Sequence, residues 1–349
     1  MLDALFVLGL AAFCAMLLTW AFRTLPEEKW QIMACVPVVK EGEDNWRGLN
    51  LTYYGVFTAM AIVAAVSIIL VLMAAIGVPA KISLVMVGLF VALCFPAAKL
   101  VARVVEKKAH TFTTGGASFV GVLASPVIVW IVDFLFGTEG IHVPALPAFA
   151  AISIAYGLGE GLGRLACISF GCCYGKPLSQ CGPWIRWIFG GCSFVFSGKT
   201  KKIAYEGALD GIDVVPIQAV TAVLYIIVGL AGIFLYLKSY YSLAFILVLV
   251  ATQSWRAYSE TLRADYRGGG KISSYQIMAL CAMPYALLLM MTFAPEPLQT
   301  ADLKAGVAAL WDPTVILFLE LLGFGAFLYS GRSMVTASTM SFLILKDRI

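Results

Sequence analysis

Two polar segments of the sequence combine arginine and glutamate at spacings that suit the binding of a phosphate group. In the first, Glu160 and Arg164 lie four residues apart, so on a helix they share one face and can pair. In the second, Arg256, Glu260 and Arg263 also fall on one helical face. A guanidinium group can bind two phosphate oxygens at once because its fork is planar. A single arginine would be interpreted as snorkelling from a helix end, but two such clusters favour an anion site.

Cysteines gather around the first segment. Five of the nine lie in it or shortly after it: Cys167, Cys172, Cys173, Cys181 and Cys192. In an oxidising compartment they could form disulfides with one thiol left over, and in the cytoplasm they would be thiols or metal ligands. The adjacent pair and the long gaps after it fit the usual zinc spacings poorly. We therefore favour structural or disulfide use over direct chemistry, and direct chemistry over metal binding. We predict no metal and no cofactor.

The elements that must position these residues are membrane helices. The chain is 61% hydrophobic and 13% charged, with a mean hydropathy of +0.91, whereas a soluble domain is about 25% charged. Stretches that approach the roughly 20 apolar residues needed to cross a bilayer are 2–22, 51–76, 82–100, 115–136, 146–167, 217–237, 242–258, 274–293 and 313–329. The stretch 242–258 is short and ends in charged residues. We therefore predict an all-α, polytopic transmembrane helix bundle of eight or nine spans.

The first stretch is predicted to be an uncleaved helix. No basic residue precedes it, and no small-residue cleavage site follows it, as a signal peptide would require. The polar, mixed-charge segment after it, 23–50, is expected to form an extramembrane loop.

Charge divides the two membrane faces unequally. If the stretches cross alternately, one face receives all but three of the 24 lysines and arginines. We call it the basic face, and its segments are 23–50, 99–113, 164–216, 255–273 and 330–349. We expect 168–216 to form an extramembrane loop region. The positive-inside rule alone would place the basic face in the cytoplasm, and its charges would attract anionic lipid headgroups at about 1 kcal/mol each.

Six motifs, in order along the chain, resemble those of the prolipoprotein diacylglyceryl transferases. Residues 163–171 (GRLACISFG), with Tyr174 and Gly175 after them, are similar to the family signature GR-x-G-N-F-x-N-G-E followed by an aromatic residue and Gly. The other motifs are 52–55 (TYYG), similar to H-W-Y-G; 113–116 (TTGG), similar to the start of F-H-G-G-x-x-G; 216–218 (PIQ), similar to P-x-Q; 256–263 (RAYSETLR), similar to R-F-x-x-E-x-x-R; and 274–276 (SYQ), similar to G-Q. We therefore divide the chain into an additional N-terminal helix and polar loop (1–50), a diacylglyceryl-transferase-like core (51–293) and an additional C-terminal helix and tail (294–349).

The resemblance implies a reaction. Members of the family transfer the diacylglyceryl group of phosphatidylglycerol to the thiol of a lipobox cysteine and release glycerol phosphate. The resemblance assigns Arg164 and Arg256 to the donor phosphate, Glu260 to the orientation of Arg256, and Tyr54 to the lining of the site. The remaining substrate-binding candidates are Gly115, Gly116, Glu160, Gly163, Tyr174, Arg263 and Gln276. Fixed cations suit such a displacement because negative charge develops on the leaving phosphate.

The departures from the family pattern concern proton transfer and the acceptor. Two family histidines fall on Thr52 and Thr114, the signature Asn and Glu fall on Cys167 and Cys172, and the acidic residue after P-x-Q falls on Thr221. Nearby His110 is interpreted as a solvated histidine at a helix entry. The catalytic candidates are Arg164, Glu260, Cys167 and Cys172, and either thiol could act as a thiolate base or nucleophile beside an arginine.

These observations predict a membrane-embedded, lipid-modifying transferase that takes a glyceryl or diacylglyceryl group from an anionic glycerophospholipid such as phosphatidylglycerol. The acceptor would be an unidentified lipid, small molecule or protein, and no nucleic acid is involved. The alternative is a non-catalytic phospholipid-binding or lipid-transport protein on the same fold. A redox enzyme is the more distant alternative, because the sequence has no C-x-x-C.

The predicted location is the bacterial cytoplasmic membrane, with the chain as a multi-pass monomer. The resemblance places the site on the outer side of that membrane, whereas the charge distribution favours the cytoplasmic side.

Overall fold

The computed structural model describes residues 1–105, 107, 113–138, 140–267, 272–293 and 300–349. Its helices are α1 (Leu2–Thr24), α2 (Tyr53–Ala75), α3 (Ala80–Val105), α4 (Thr114–Gly137), α5 (Ala145–Phe170), α6 (Pro183–Phe189), α7 (Lys202–Tyr205), α8 (Ile217–Leu237), α9 (Tyr241–Ser259), α10 (Ser274–Thr292), α11 (Leu303–Ala308) and α12 (Pro313–Ser330). The strands are β1 (Ile32–Glu41), β2 (Asn45–Thr52), β3 (Phe194–Val195), β4 (Asp213–Val214) and β5 (Arg332–Ser341).

The predicted polytopic helix bundle is confirmed. Within the described residues, eight helices are long and apolar enough to cross a membrane: α1 to α5, α8, α10 and α12. The helix α9 is more polar, but its 19 residues measure about 28 Å, close to the thickness of a bilayer core. Its polar side chains are tolerated because α9 packs against α5, α8 and α10.

Contacts at the helix ends show that α9 also crosses the bundle. Lys238, at the end of α8, donates to Asp3 at the start of α1 over 2.8 Å, so these ends lie on the face opposite the basic face. The far end of α9 leads to Arg263, which forms a β-bridge with Gly175 on the basic face. A topology of nine membrane spans, with α9 as one of them, therefore describes the bundle better than a topology of eight.

The helix α5 lies at the centre of the bundle and carries the first polar segment. It packs against α2, α8 and α9, and most of its side chains are buried. The close approach of α5 to α8 depends on small residues, since a Cβ at Gly161 would lie 3.2 Å from Tyr225 Cβ of α8. The central position of α5 brings its polar face against the polar end of α9.

A three-stranded antiparallel sheet lies on the basic face and was not predicted. Its order is β1-β2-β5, so the C-terminal tail pairs with the segment that leads into α2. Asn50 of β2 donates to Thr336 over 3.1 Å and also bonds to Ser338 across the same pair of strands. The expectation that 23–50 is only a loop is therefore wrong. Its pairing with the C-terminal tail does agree with the alternate crossing of the helices, which places both segments on the basic face.

The predicted extramembrane region 168–216 is a folded cap over the ends of α1 and α5. Buried Lys201 donates from Nζ to the carbonyl oxygens of Leu25 (3.1 Å) and Ser169 (2.7 Å). Thr200 and Gln31 exchange two hydrogen bonds nearby. A lysine charge at these helix C-termini is favourable because their carbonyl dipoles point toward it. Burial nevertheless lowers the pKa of Lys201 to about 8.

Candidate functional site

A narrow cleft at the basic-face end of α5 and α9 brings the two predicted polar segments together. It is lined by Arg164, Ile217, Thr221, Tyr225, Arg256, Ser259, Glu260 and Arg263. The three arginine residues are each less than a tenth exposed. The free volume of the cleft is about 10 Å³, close to that of one water molecule. A phosphate group would therefore have to widen the cleft on entry.

Glu160 joins the arginines of the two helices. Its carboxylate pairs with Arg164 on the next turn of α5 and lies 3.7 Å from Arg256 Nη1 of α9. Arg256 also donates to the hydroxyl of Tyr156 over 3.3 Å. Charges this deeply buried are costly unless they are paired, so Glu160 holds both guanidinium groups in the bundle. The direct charge partner of Arg256 is Glu160, whereas the resemblance assigned that role to Glu260.

Glu260 serves a second pair of arginines after α9. Its carboxylate lies 3.8 Å from Arg263 Nη1 and 3.4 Å from Arg267 Nη2. Asp265 accepts two hydrogen bonds from Arg263, of 2.8 and 2.6 Å, in a bidentate pair. The guanidinium of Arg267 also stacks over the ring of Tyr275 at 4.6 Å. The bidentate pair fixes the plane of the Arg263 guanidinium beside the cleft.

The charges of this cluster leave a positive excess. Counting guanidinium groups and carboxylates and leaving out the neighbouring thiols, four guanidinium groups (Arg164, Arg256, Arg263, Arg267) face three carboxylates (Glu160, Glu260, Asp265) among the described residues. In the described part of the chain, Arg164 Nε is buried without a hydrogen-bond partner. A buried donor without an acceptor is destabilising, so a bound anion oxygen would stabilise this site. The cluster suits a singly charged anion, as a phosphodiester is.

The start of α4 forms the wall of the site next to Arg256. A Cβ at Gly115 would overlap Arg256 Nη2 and come within 2.9 Å of Tyr275 Cδ1. Only glycine lets the guanidinium lie this close to the helix. Thr114, just before it, donates to Glu160 over 3.4 Å. The threonine that stands where the resembled family has histidine is thus at the site.

Three cysteine thiols converge beside the arginines. The Sγ atoms of Cys167, Cys172 and Cys173 all lie within 4.8 Å of one another, and those of Cys167 and Cys173 are 3.9 Å apart. The chain reverses after α5 through Gly171 (φ 70°) and Cys173 (φ 57°), both in the left-handed region. A non-glycine residue in that region is unusual and occurs mainly where surrounding structure enforces it. All nine cysteines of the chain lie in the described residues and are free thiols.

The three thiols differ in acidity. Hydrogen bonds with Cys167 and Cys172, together with the charges of Arg263 and Arg164, hold the pKa of the Cys173 thiol well below its ordinary value. Hydrogen bonding to Cys167 and Cys173 raises the pKa of Cys172. Cys173 is therefore the most acidic thiol of the cluster, whereas the sequence analysis named Cys167 and Cys172.

The match to known proteins agrees with this site. A family model for prolipoprotein diacylglyceryl transferases matches residues 45–292, from β2 to the end of α10. The chain belongs to this family. No curated protein matches it. Family membership confirms the resemblance and implies a multi-pass membrane protein with diacylglyceryl transferase activity. The helices α1 and α12 and the strands β1 and β5 lie outside the matched range, and the division of the chain at 50 and 293 stays a prediction.

Most of the residues that the diacylglyceryl transferase resemblance singled out come together at the cleft. They are Arg164, Glu160, Arg256, Glu260, Arg263 and Gly115, with Cys167 and Cys172 beside them. Tyr54 packs against Phe170, with ring centroids 5.7 Å apart, and lies within electrostatic range of the thiols and Arg164. His110 lies outside the described residues.

Other candidates from the transferase motifs have structural roles. Gln276 caps α10 and donates to the carbonyl of Ala257 over 2.9 Å, which fixes α10 against α9. A Cβ at Gly116 would come within 2.5 Å of Val101, so this glycine allows α3 and α4 to pack closely. The phenol of Tyr174 is buried next to Gly207, and burial raises its pKa to about 12. A Cβ at Gly163 would meet only Ala61, at 3.9 Å.

Three site residues were missed as candidates. Asp265 and Arg267 follow Arg263 at alternate positions after α9, and this alternation was the available signal. Cys173 was passed over because its neighbour Cys172 aligned with the glutamate of the transferase signature. The left-handed conformation that turns Cys173 toward the other thiols cannot be inferred from residue type, because it is unfavourable for cysteine.

Proposed function

We propose that the chain is a membrane-embedded transferase that uses an anionic glycerophospholipid, such as phosphatidylglycerol, as donor of a glyceryl or diacylglyceryl group. The main support is Glu160, which holds Arg164 and Arg256 against one cleft with a net positive charge. A phosphodiester would accept hydrogen bonds from both guanidinium groups and from the unpartnered Nε of Arg164. The chain's own groups would thus bind the donor phosphate and stabilise it as it leaves.

The proposed reaction is a displacement at a glyceryl carbon. The acceptor forms a bond to that carbon, and the carbon–oxygen bond to phosphate breaks, with the electron pair remaining on the phosphate oxygen. Buried cations stabilise this developing charge because they are oriented before the reaction begins. The acceptor must also lose a proton. Thr114 is too weak a base for that step, so the thiol cluster beside Arg164 is the nearest described set of groups that could take part.

The proposed partners are a membrane phospholipid and an acceptor that is a lipid, a small molecule or a protein. The proposed setting is the bacterial cytoplasmic membrane, with the chain as a monomer. Charge favours the cytoplasmic side for the basic face. A cysteine introduced at exposed Lys199 tests this orientation in intact cells, whereas Lys201 is buried and unsuitable. Labelling at position 199 by an impermeant thiol reagent would place the basic face outside.

Turnover of labelled phosphatidylglycerol tests the proposal. The purified protein, supplied with membrane extract as a source of acceptor, should release glycerol phosphate, and Arg256→Gln should abolish the release. Arg186→Gln is the matched control, because Arg186 is exposed on α6 and away from the cleft residues.

A non-catalytic lipid-binding protein is the second candidate, and the threonine at position 114 favours it, because it stands where the family has histidine. Saturable binding of phosphatidylglycerol that depends on Arg256, with no glycerol phosphate released from any extract, would decide for this candidate. Release equal in the wild type and in Arg256→Gln would reject both candidates.

A further inference from the structure

The three-thiol turn after α5 has the dimensions of a metal site. Tetrahedral zinc holds thiolate sulfurs at about 2.3 Å, which places two such sulfurs about 3.8 Å apart. Cys167 and Cys173 are already 3.9 Å apart, and all three sulfurs lie within 4.8 Å of one another. Side-chain adjustments of less than 1 Å would bring the third sulfur to the same spacing. The site therefore needs no rearrangement of the backbone.

The backbone holds this turn in place from both sides. Before it, the amide of Cys172 donates to the carbonyl of Cys167 over 3.0 Å, which closes the end of α5. After it, Lys176 N donates to the carbonyl of Leu262 over 2.9 Å, and Gly175 forms a β-bridge with Arg263. Of the two left-handed residues, Gly171 is an ordinary helix cap, whereas Cys173 adopts a conformation that is unfavourable for a non-glycine residue and that these backbone contacts enforce.

The surroundings suit a metal bound by three thiolates. Three thiolates and a divalent ion carry a net charge of −1, and the guanidinium groups of Arg164 and Arg263 lie within electrostatic range of the sulfurs. All three cysteines are half-buried, so the site is shielded but reachable. Thiolates select soft ions such as Zn²⁺ over Mg²⁺ or Ca²⁺. Cys167 and Cys172 also have C-x4-C spacing, which zinc sites use.

We propose that Cys167, Cys172 and Cys173 form a binding site for one Zn²⁺ ion. In the described part of the chain, these three thiols make up the whole donor group, so a four-coordinate ion keeps one position for water or another ligand. Zinc sites with three protein ligands and one open position are typical of catalysis rather than of structural support. This inference replaces the prediction, made from spacing, that the chain binds no metal.

A consequence follows that rests on the proposed transferase function. A thiol or alcohol acceptor that takes the open position would lose its proton to solvent, because coordination to zinc strongly lowers the pKa of such a ligand. The acceptor anion would then form its bond to the glyceryl carbon while the phosphate leaves with its electron pair. The zinc site would in this way supply the acceptor activation that Thr114 cannot.

Metal binding by the reduced protein tests the site without any lipid or turnover. The full-length protein in detergent is titrated with Cd²⁺ as a spectroscopic substitute for Zn²⁺, and thiolate-to-metal absorption is followed in the ultraviolet. We expect one equivalent bound, displaced by Zn²⁺, and a Cd²⁺ affinity at least ~10-fold lower in Cys167→Ser and Cys173→Ser. The matched control is Cys192→Ser/Cys281→Ser, because both of these residues are exposed. It should bind as the wild type does.

Alkylation of the wild-type protein gives a second measurement that needs no variant. Bound Zn²⁺ should protect Cys167, Cys172 and Cys173 from iodoacetamide and leave Cys192 and Cys281 reactive, as read by peptide mass spectrometry. Absence of binding by the reduced protein, binding that survives loss of Cys167 and Cys173, or equal alkylation of the three cysteines with and without Zn²⁺ would each overturn the site. Since none of these readouts involves phospholipid, failure of the zinc site and failure of the transferase proposal are distinguishable.

Discussion

The carboxylate of Glu160 lies 3.7 Å from Nη1 of Arg256, an arginine of a different helix. It also pairs with Arg164 on its own helix, so one buried acid holds two guanidinium groups at a fixed separation. Family resemblance pointed to Glu260 as the partner of Arg256. The structure adds Glu160 as a contact of Arg256, while Glu260 lies within electrostatic range of Arg256 and pairs with the outer Arg263 and Arg267.

Replacement of Glu160 by glutamine should therefore impair donor binding strongly, although the two side chains have nearly the same size. Two buried guanidinium groups would lose their shared counter-charge, and breaking a buried ion pair costs about 3–5 kcal/mol. We expect kcat/KM for phosphatidylglycerol to fall at least ~10-fold, together with a lower melting temperature. Glu41→Gln, in the exposed pair with Arg47, is the control. Unchanged kcat/KM in Glu160→Gln would contradict this role.

Alanine at Gly115 should displace Arg256 while the bundle remains folded. The added Cβ would overlap Nη2 of Arg256. Because this atom is at the end of a flexible side chain, the guanidinium can move aside without a shift of the backbone. Misplacement of a positioning group by about 1 Å can reduce turnover by about 100-fold. The control is Gly88→Ala on α3, where a Cβ meets nothing within 4 Å. Full activity in Gly115→Ala would show that the position of Arg256 is not critical.

Asparagine at Asp265 should weaken the site from its outer side. Arg263 would lose one charged acceptor of its bidentate pair, which leaves its guanidinium free to rotate away from the cleft. The measurement is release of glycerol phosphate across a range of phosphatidylglycerol concentrations, and we expect a raised KM, by roughly 10-fold, with a smaller change in kcat. Asp213→Asn changes an exposed acid of β4 and should have no effect. A lowered kcat at unchanged KM would exclude a binding role for Asp265.

The cap over α1 and α5 should become more stable as pH rises. The pKa of Lys201 is about 8 in the folded protein and 10.5 without burial, so the unfolded chain binds more protons between these values. The stabilisation is fully present above pH 10.5 and is lost as pH falls through 8, with a span of up to about 3 kcal/mol. The melting temperature of the wild type, relative to Lys201→Met, should therefore increase from pH 7.5 to 9.5. A constant or decreasing difference would contradict the lowered pKa.

Sequence patterns sufficed to predict the helix bundle and the inner residues of the site, which are Glu160, Arg164 and Arg256. Long apolar stretches can only be membrane helices, and Glu160, Arg164 and Arg256 are conspicuous because charge in such stretches is costly. The helix α9 was the span most difficult to predict, because its polar residues are surrounded by other helices rather than by lipid. Hydropathy measures preference for lipid, so it understates a span that other helices shield.

Features that depend on pairing between distant parts of the chain could not be predicted from the sequence. The sheet joins β2 to β5 across most of the chain, and β5 has no partner strand close to it in the sequence, whereas β2 also pairs with the adjacent β1. The partner of each arginine was equally hidden, since helical spacing pairs Arg256 with Glu260, and the contact of Arg256 with Glu160 forms only once α5 and α9 are packed. Side-chain pairing between helices is a property of packing, and spacing along one helix does not determine it.

The pairing of β2 with β5 has a consequence for biogenesis. Insertion into the membrane proceeds from the N-terminus, yet β5, the second partner of β2, follows it by about 280 residues (from Thr52 to Arg332) and is made only after α12. One edge of β2 therefore stays unpaired in the nascent chain until β5 has been synthesised. A chain truncated directly after α12 would keep the eight candidate membrane helices and lack β5, the strand that pairs with this edge of β2. Such a truncated product would expose the edge of β2 that β5 covers in the complete sheet, and an unpaired strand edge favours edge-to-edge aggregation.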